Sequence, residues 1–340
     1  MSDWWTEYAL VRAGKKVLWT VPSLQIIERD QGSTPRMLHT TTRRPIPAVE
    51  MVDKITDEWR SKESHLAEID PWRPAWRVDL SDFPPVAGEG MVFSPTEDQL
   101  RRLQEVSTIL EEAPAEVILR WAIDTFFPKL TMATAFGPEG CVILSILARL
   151  EPRVHVFNLD TGYQFKETLE LRDRIAEKYG IEVEFARPEL SVEEYERQNG
   201  GPVYKTNPDR CCYERKVLVL KRKVVGYRAW ISGIRRDQSP HRANAPIVGW
   251  DKKFGLVKIN PLARWTKNDV WKRILAEEIP YNPLHDQGYP SIGCWPCTRP
   301  VLFGEDERAG RWSGTGKTEC GLHLADDQPP PPPPTTYGNL

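Results

Sequence analysis

Residues 129–150 read Lys129-Leu130-Thr131-Met132-Ala133-Thr134-Ala135, then Phe136-Gly137-Pro138-Glu139-Gly140, then Cys141-Val142-Ile143-Leu144-Ser145-Ile146-Leu147-Ala148-Arg149-Leu150. A short apolar run, a turn of small residues and a longer apolar stretch predict strand, loop and helix. The pattern repeats at once, with a strand over 153–158, the loop Leu159-Asp160-Thr161-Gly162-Tyr163, a helix from about 165 to 179 and a strand over 181–185. It continues through a helix near Val192, another after Cys211 and a strand over 228–232. Strands alternating with helices predict an α/β fold, a parallel twisted sheet flanked by helices, whose ligands bind outside the carboxyl ends of the strands.

Three loops leave strands at that end. The first, around Thr134, Ala135, Phe136 and Gly137, can aim backbone N–H groups and a helix N-terminus at a phosphate. It has neither the lysine of a Walker A loop nor a three-glycine fingerprint, so an ordinary tight turn is the alternative. The second carries Asp160, Thr161 and Gly162. The third, Ser232-Gly233-Ile234-Arg235-Arg236-Asp237-Gln238-Ser239-Pro240-His241-Arg242, brings three arginines to the ligand edge, where guanidinium forks suit phosphate or sulfate oxygens better than an idle surface does. Arg308 and Arg311 add a further pair.

Before the first strand, Ser94-Pro95-Thr96-Glu97 matches a capping box with Ser94 as the cap. The helix it starts runs to about Glu112, with Leu100, Leu103, Val106, Ile109 and Leu110 on its apolar face; a second covers 115–126. A third helix spans 266–278, capped by Thr266 with Asp269 in its first turn and Val270, Trp271, Ile274 and Leu275 on its apolar face. Residues 1–92 are rich in Trp, Pro and charge, show no repeat and suggest no function. The expected organisation is therefore 1–92, an α/β domain over 93–300, a terminal segment over 301–325, and a Pro-rich tail over 326–340 in which the run 329–334 is extended.

Acidic and basic residues nearly balance, 48 against 46, which gives no reason to expect nucleic acid or an anionic membrane as partner. The chain's start has no basic region leading into an apolar one, and no apolar run is long enough to span a bilayer. Six cysteines in 340 residues do not make a disulfide scaffold and point to metal or redox chemistry in a reducing cytoplasm. The oligomeric state is left open, a homo-oligomer included.

Four of those thiols come as close pairs, Cys211-Cys212 and Cys294-Trp295-Pro296-Cys297, which suits a metal or a cluster. Cys141, at the start of an apolar helix, reads as a core residue. Cys320 stands apart in Glu319-Cys320-Gly321-Leu322-His323, and a thiol with a histidine three residues on can be held partly as the nucleophilic thiolate. A spare thiol beside a solvated His323 is the plain alternative.

From about Ser94 to His323 the sequence resembles the assimilatory adenylylsulfate and phosphoadenylylsulfate reductases, relatives of the PP-loop fold. The resemblance rests on Thr134-Ala135-Phe136-Gly137, Leu159-Asp160-Thr161-Gly162, Cys211-Cys212 with Lys216, and Gly233 to Ser239. It continues through Tyr281-Asn282-Pro283-Leu284-His285-Asp286, Gly293 to Arg299, Glu307-Arg308-Ala309-Gly310-Arg311-Trp312 and Glu319 to His323. It implies that Cys320 attacks the sulfonyl sulfur of adenylylsulfate (APS), or of its 3′-phosphorylated form (PAPS), to give an S-sulfocysteine that thioredoxin or glutaredoxin reduces, releasing sulfite. It further implies that Cys211, Cys212, Cys294 and Cys297 hold a 4Fe-4S cluster, structural zinc being the alternative. Lys216 is then the lysine linking cluster and substrate, and the terminal segment is a mobile one that carries the nucleophile.

Two positions depart from the family pattern. Thr134 and Ala135 stand where many relatives have two serines, and Tyr163 follows the second loop where cluster-bearing relatives often have arginine. The cluster cysteines favour adenylylsulfate; Tyr163 resembles the phosphorylated-substrate type. Other readings are a PP-loop iron–sulfur tRNA thiolase, which lacks its intact ATP loop here, and a non-catalytic cluster or zinc protein, against which the complete Glu319–His323 motif argues.

Overall fold

The computed structural model describes residues 70–88, 93–315, 317, 319, 321 and 322, and the backbone of four short strands before residue 47. The chain divides into two compact units, Met1–Pro71 and Trp72–Leu340. In the first, Thr20–Val21, Leu24–Ile26, Met37–His39 and Pro45–Ile46 pair antiparallel in sequence order. Cys320, His323 and the Pro-rich tail lie outside the described residues.

The second unit is built on a six-stranded sheet. Its strands are β1 Leu130–Thr134, β2 His155–Leu159, β3 Val183–Ala186, β4 Ala229–Ile231, β5 Val248–Asp251 and β6 Leu256–Ile259. They lie in the order β3-β2-β1-β4-β6-β5, and every pairing is parallel except β5 with β6. The parallel sheet expected from sequence is thus closed on one side by an antiparallel hairpin, whose strands are too short, and interrupted by Gly249 and Asp251, to stand out as a period. Its turn is fixed locally: Gly255 N donates to Asp251 O at 2.8 Å, and Gly255 takes φ 72°.

The helices are α1 Glu97–Ile109, α2 Ala115–Phe126, α3 Pro138–Leu150, α4 Lys166–Tyr179, α5 Val192–Gln198, α6 Val203–Thr206, α7 Pro208–Cys212, α8 Leu218–Lys223 and α9 Lys267–Ala276. A π-helical turn, Tyr213–Val217, joins α7 to α8. α3 is buried from Gly140 through Leu147, as its unbroken apolar sequence requires. α1 starts later than expected. Thr96, not Ser94, accepts from Gln99 N, and the Gln99 side chain closes the capping box. Both registers satisfy the capping-box pattern; burial of Gln99, Leu103 and Val106 selects this one and leaves Leu100 40% exposed. Leu275, expected on the buried face of α9, is 70% exposed, while Val270 and Ile274 carry the packing.

β1 lies between β2 and β4, so the chain leaves it in one direction and returns on its other side. That is the switch point where open α/β sheets bind ligands. The loops after β1 and β4 meet there: a Cβ on Gly233 would come 3.2 Å from Cβ of Glu139.

Candidate active site at the strand ends

The loop after β1 is shaped by small contacts. Phe136 takes φ 54°, and its N–H donates to Thr134 Oγ1 at 3.0 Å. A Cβ on Gly140 would stand 2.7 Å from that same oxygen, so glycine is required. Thr134 is buried and its hydroxyl braces the turn, whereas Ala135 is exposed. Gly137 caps α3 and Pro138 fills the first helical position, so no side chain caps the N–H groups of the first turn. Glu139 sits in that turn and pairs with Arg235, which is also bonded to Asp237 at 2.8 Å.

The loop after β2 is a cross-braced turn. Asp160 accepts from Gly162 N at 3.0 Å and from Arg187 Nε at 2.8 Å. Gly162 takes φ +79°, and a Cβ there would come 2.6 Å from Val192. Tyr163 N donates to Thr161 Oγ1 at 3.2 Å, and the same hydroxyl lies 3.2 Å from Cys294 Sγ. This loop therefore connects the strand ends to the cysteines. Buried Arg215, from the π-turn, donates to Thr161 O at 2.6 Å and to Leu190 O at 3.2 Å. Sequence reasoning passed over it because its partners are carbonyls distant in sequence.

Cys211 and Cys212 end α7, which Asn207 caps by accepting from Arg210 N at 2.9 Å. Cys294 and Cys297 flank a tight turn in which Cys297 N donates to Cys294 O at 3.0 Å. Thr298 closes that turn at 2.9 Å, and Trp295 N donates to Tyr163 O at 2.8 Å. All four thiols are unbridged and line one cavity with Thr161, Lys216, Arg311 and Trp312. Burial pushes the Cys211 thiol up to about 12, and Cys212, Cys294 and Cys297 add to the rise while Lys216 opposes it. Burial raises Cys297 as well. Four thiols lining one cavity suit a positive inorganic centre, which would hold them as thiolates.

Among the described residues no three His, Cys, Asp or Glu side chains are grouped as for a single metal ion. The donor set fits a cluster, which would take one thiolate at each of four irons.

The predicted arginines separate into distinct roles. Arg236 is tied to Glu111, in the turn just past α1, and donates to Ala245 O at 2.8 Å, so its fork is engaged in packing. Gln238, Ser239, Arg242 and Arg308 gather around Glu319: Arg242 meets both carboxylate oxygens at 3.1 and 2.9 Å, and Arg308 meets one at 2.9 Å. Arg311 instead joins the cysteine cavity, with its guanidinium 4.5 Å from the Trp312 ring centroid and one N–H on Ser291 Oγ at 3.2 Å. A Cβ on Gly293 would meet that guanidinium at 2.4 Å, so a side chain there would displace Arg311. Cys141 is fully buried with its thiol pushed up to about 12 by burial, as a core residue should be. Among the described residues, no helix is long and apolar enough to cross a membrane.

Comparison with known proteins agrees with this architecture. The phosphoadenosine phosphosulfate reductase domain matches residues 129–300. An adenosine 5′-phosphosulfate reductase of Shouchella clausii is 48% identical over 221 residues, 65% of this chain and 92% of that one. A phosphoadenosine 5′-phosphosulfate reductase of Gloeobacter violaceus is 46% identical over 224 residues, 65% and 93% of the two chains. A crystal structure of phosphoadenylyl-sulfate reductase from Candida auris, a phosphate complex, aligns with a TM-score of 0.54 at 31% identity and covers 62% of this chain and 100% of that one. With half of the chain matched by one domain and relatives nearly half identical along almost their whole length, this chain belongs to the phosphoadenosine phosphosulfate reductase family.

Proposed function

We propose that this oxidoreductase converts adenylylsulfate to sulfite and AMP in sulfate assimilation, with Cys320 as nucleophile and a dithiol of thioredoxin or glutaredoxin as reductant. The observation that carries the reading is the disposition of thiols. Four line one cavity and Cys141 is locked in the core, which leaves Cys320 for covalent chemistry.

The Cys320 thiolate attacks the sulfonyl sulfur; the new S–S bond forms as the S–O bond to the α-phosphate breaks, and AMP leaves with that electron pair. A reductant thiolate then attacks Cys320 Sγ, sulfite departs with the S–S pair, and the reductant's second thiol releases Cys320 and closes a disulfide. His323, three residues on, favours the thiolate before attack. The open N-terminus of α3 suits the nucleotide's phosphate, and Lys216 and Arg311 bring positive charge to the cysteine cavity, lowering the cost of gathering an anionic sulfate nearby. Cys211, Cys212, Cys294 and Cys297 would hold a 4Fe-4S cluster, whose contribution is electrostatic, sulfur transfer being left to the Cys320 thiol.

The 3′ position of the nucleotide turns on Tyr163. Its ring is buried edge-on to Tyr204 at 5.3 Å, and its phenol donates to Glu196 at 2.7 Å. A side chain so committed packs the loop rather than reading a 3′-phosphate, which supports adenylylsulfate. Sulfite formation from both nucleotides under matched conditions with thioredoxin tests this; adenylylsulfate is preferred by at least about tenfold in kcat/KM, the worth of one missing charge-assisted bond. Preference for the 3′-phosphorylated nucleotide overturns the assignment, and absence of sulfite from both overturns the activity.

A further inference from the structure

The reaction above gives no role to the carboxylate that precedes Cys320, yet Glu319 is firmly gripped. It is 2% exposed. Arg242 donates to both of its oxygens, Arg308 to Oε1 at 2.9 Å and the Ser239 hydroxyl to Oε2 at 3.3 Å. On the other side of Cys320, Lys253 Nζ donates to Gly321 O at 2.6 Å, and Leu322 packs against the buried clusters that contain Val217 and the Cys212–Trp312 pair.

We propose that Glu319 is a positioning residue: its carboxylate latches the terminal segment onto Arg242 and Arg308 and so sets the place from which the adjacent thiol attacks. The proposal rests on the reductase reading. Consecutive Cα atoms are about 3.8 Å apart, so anchoring Glu319 confines Cys320 to one residue's reach, and orientation of that kind is worth far more in rate than in substrate affinity. A carboxylate that merely stood in for an absent anion would need only the arginines. Here residues 321 and 322 are docked by separate contacts, so the segment is held from both sides. Glutamine cannot replace it, because its amide NH2 sets a donor against a guanidinium donor and removes the carboxylate charge facing buried Arg242.

The test is Glu319→Gln in the full-length protein. Single-turnover formation of the Cys320 sulfonate adduct from adenylylsulfate, followed by mass spectrometry, slows at least about tenfold. KM and the Kd for AMP stay within about twofold, and Glu319→Asp restores part of the rate. Hydrogen exchange in the peptide covering 319–322 accelerates. An unchanged adduct rate overturns the proposal, as does tighter AMP or sulfate binding, which would make Glu319 a competitor for the anion instead. Should Glu319→Gln fail to fold, Lys253→Met, which removes the donor to Gly321, reports the same loss of kcat without change in KM; no loss there counts against the latch. If wild-type protein forms no adduct, the reductase reading fails by itself, and the exchange rate in Glu319→Gln alone judges the latch: acceleration supports it and no change overturns it.

Discussion

Tyr163 shows how a single position can suggest a substrate that its neighbours do not support. In sequence it is a loop residue beside Asp160, Thr161 and Gly162, at the ligand edge of the sheet. In the fold its ring meets Tyr204 and a guanidinium, Arg215 Cζ, 5.4 Å away, and its hydroxyl is held by Glu196. Burial, with that bond, raises its pKa well above the usual phenol range, so it stays a neutral donor. Tyr163→Phe therefore costs about 1 kcal/mol of stability, read as a shift in urea midpoint at unchanged slope. It leaves the ratio of kcat/KM for the two nucleotides within about twofold, whereas a change of more than about fivefold in that ratio would restore Tyr163 as a reader of the substrate. The cysteine pairs were legible because thiol spacing is a local property. The split among the arginines was not, since whether Arg236 or Arg242 faces an anion depends on Glu111 and Glu319, which are far away in the chain.

At the scale of elements, the strands and long helices were readable from periodicity, and the errors cluster where tertiary packing chooses between equal local options. The cap of α1 is one case and the β5–β6 hairpin another. The segment 207–223 is a third: its sequence suggests one helix after Cys211, but α7, the π-turn and α8 run together through the cysteines, and the wider turn carries Arg215 to the carbonyls of Thr161 and Leu190. The Tyr281–Asp286 stretch has a structural explanation too. Asn282 Nδ2 donates to Thr168 Oγ1 at 2.9 Å, and Trp271 of α9 meets Tyr281 and His285 edge-on, so the stretch braces α4 against α9. Burial lowers the pKa of His285, which is thus neutral in the fold. The unfolded chain protonates first as pH falls, so His285 takes stability away below about 6.5, its unfolded value, and down through its lower folded value. Urea unfolding at pH 7.5 and 5.5 measures this. The wild-type midpoint drops on acidification, and His285→Phe reduces the drop; an equal drop in both proteins would mean that other groups carry it.

For the whole molecule, the question is where the catalytic unit begins. Composition changes near residue 92, and the first helix signal follows at once, so the sequence suggests a boundary there. The structure extends the second unit back to Trp72, because residues 75–86 supply part of its packing. Ala75, Leu80 and Phe83 are at most 2% exposed, Trp121 Nε1 donates to Ala75 O at 3.2 Å, Arg228 Nε donates to Phe83 O at 2.7 Å, and Val86 exchanges backbone bonds with Tyr227 and Gly226 at 2.9 and 2.8 Å. None of this shows as a period, since the segment is irregular and touches the sheet through scattered apolar side chains. Two truncations separate the boundaries. A chain beginning at Trp72 keeps every candidate site residue and folds; purified without oxygen it carries about four irons per chain and makes sulfite with kcat and KM within about twofold of the full chain. A chain beginning at Phe93 loses buried Leu80 and Phe83, each worth about 2–5 kcal/mol, and together these approach the whole stability of a typical domain of about 5–15 kcal/mol. It should be insoluble or unfolded by circular dichroism at room temperature. A folded, active chain from Phe93 would return the boundary to the place composition suggested, and an inactive but folded chain from Trp72 would give residues 1–71 a part in the reaction.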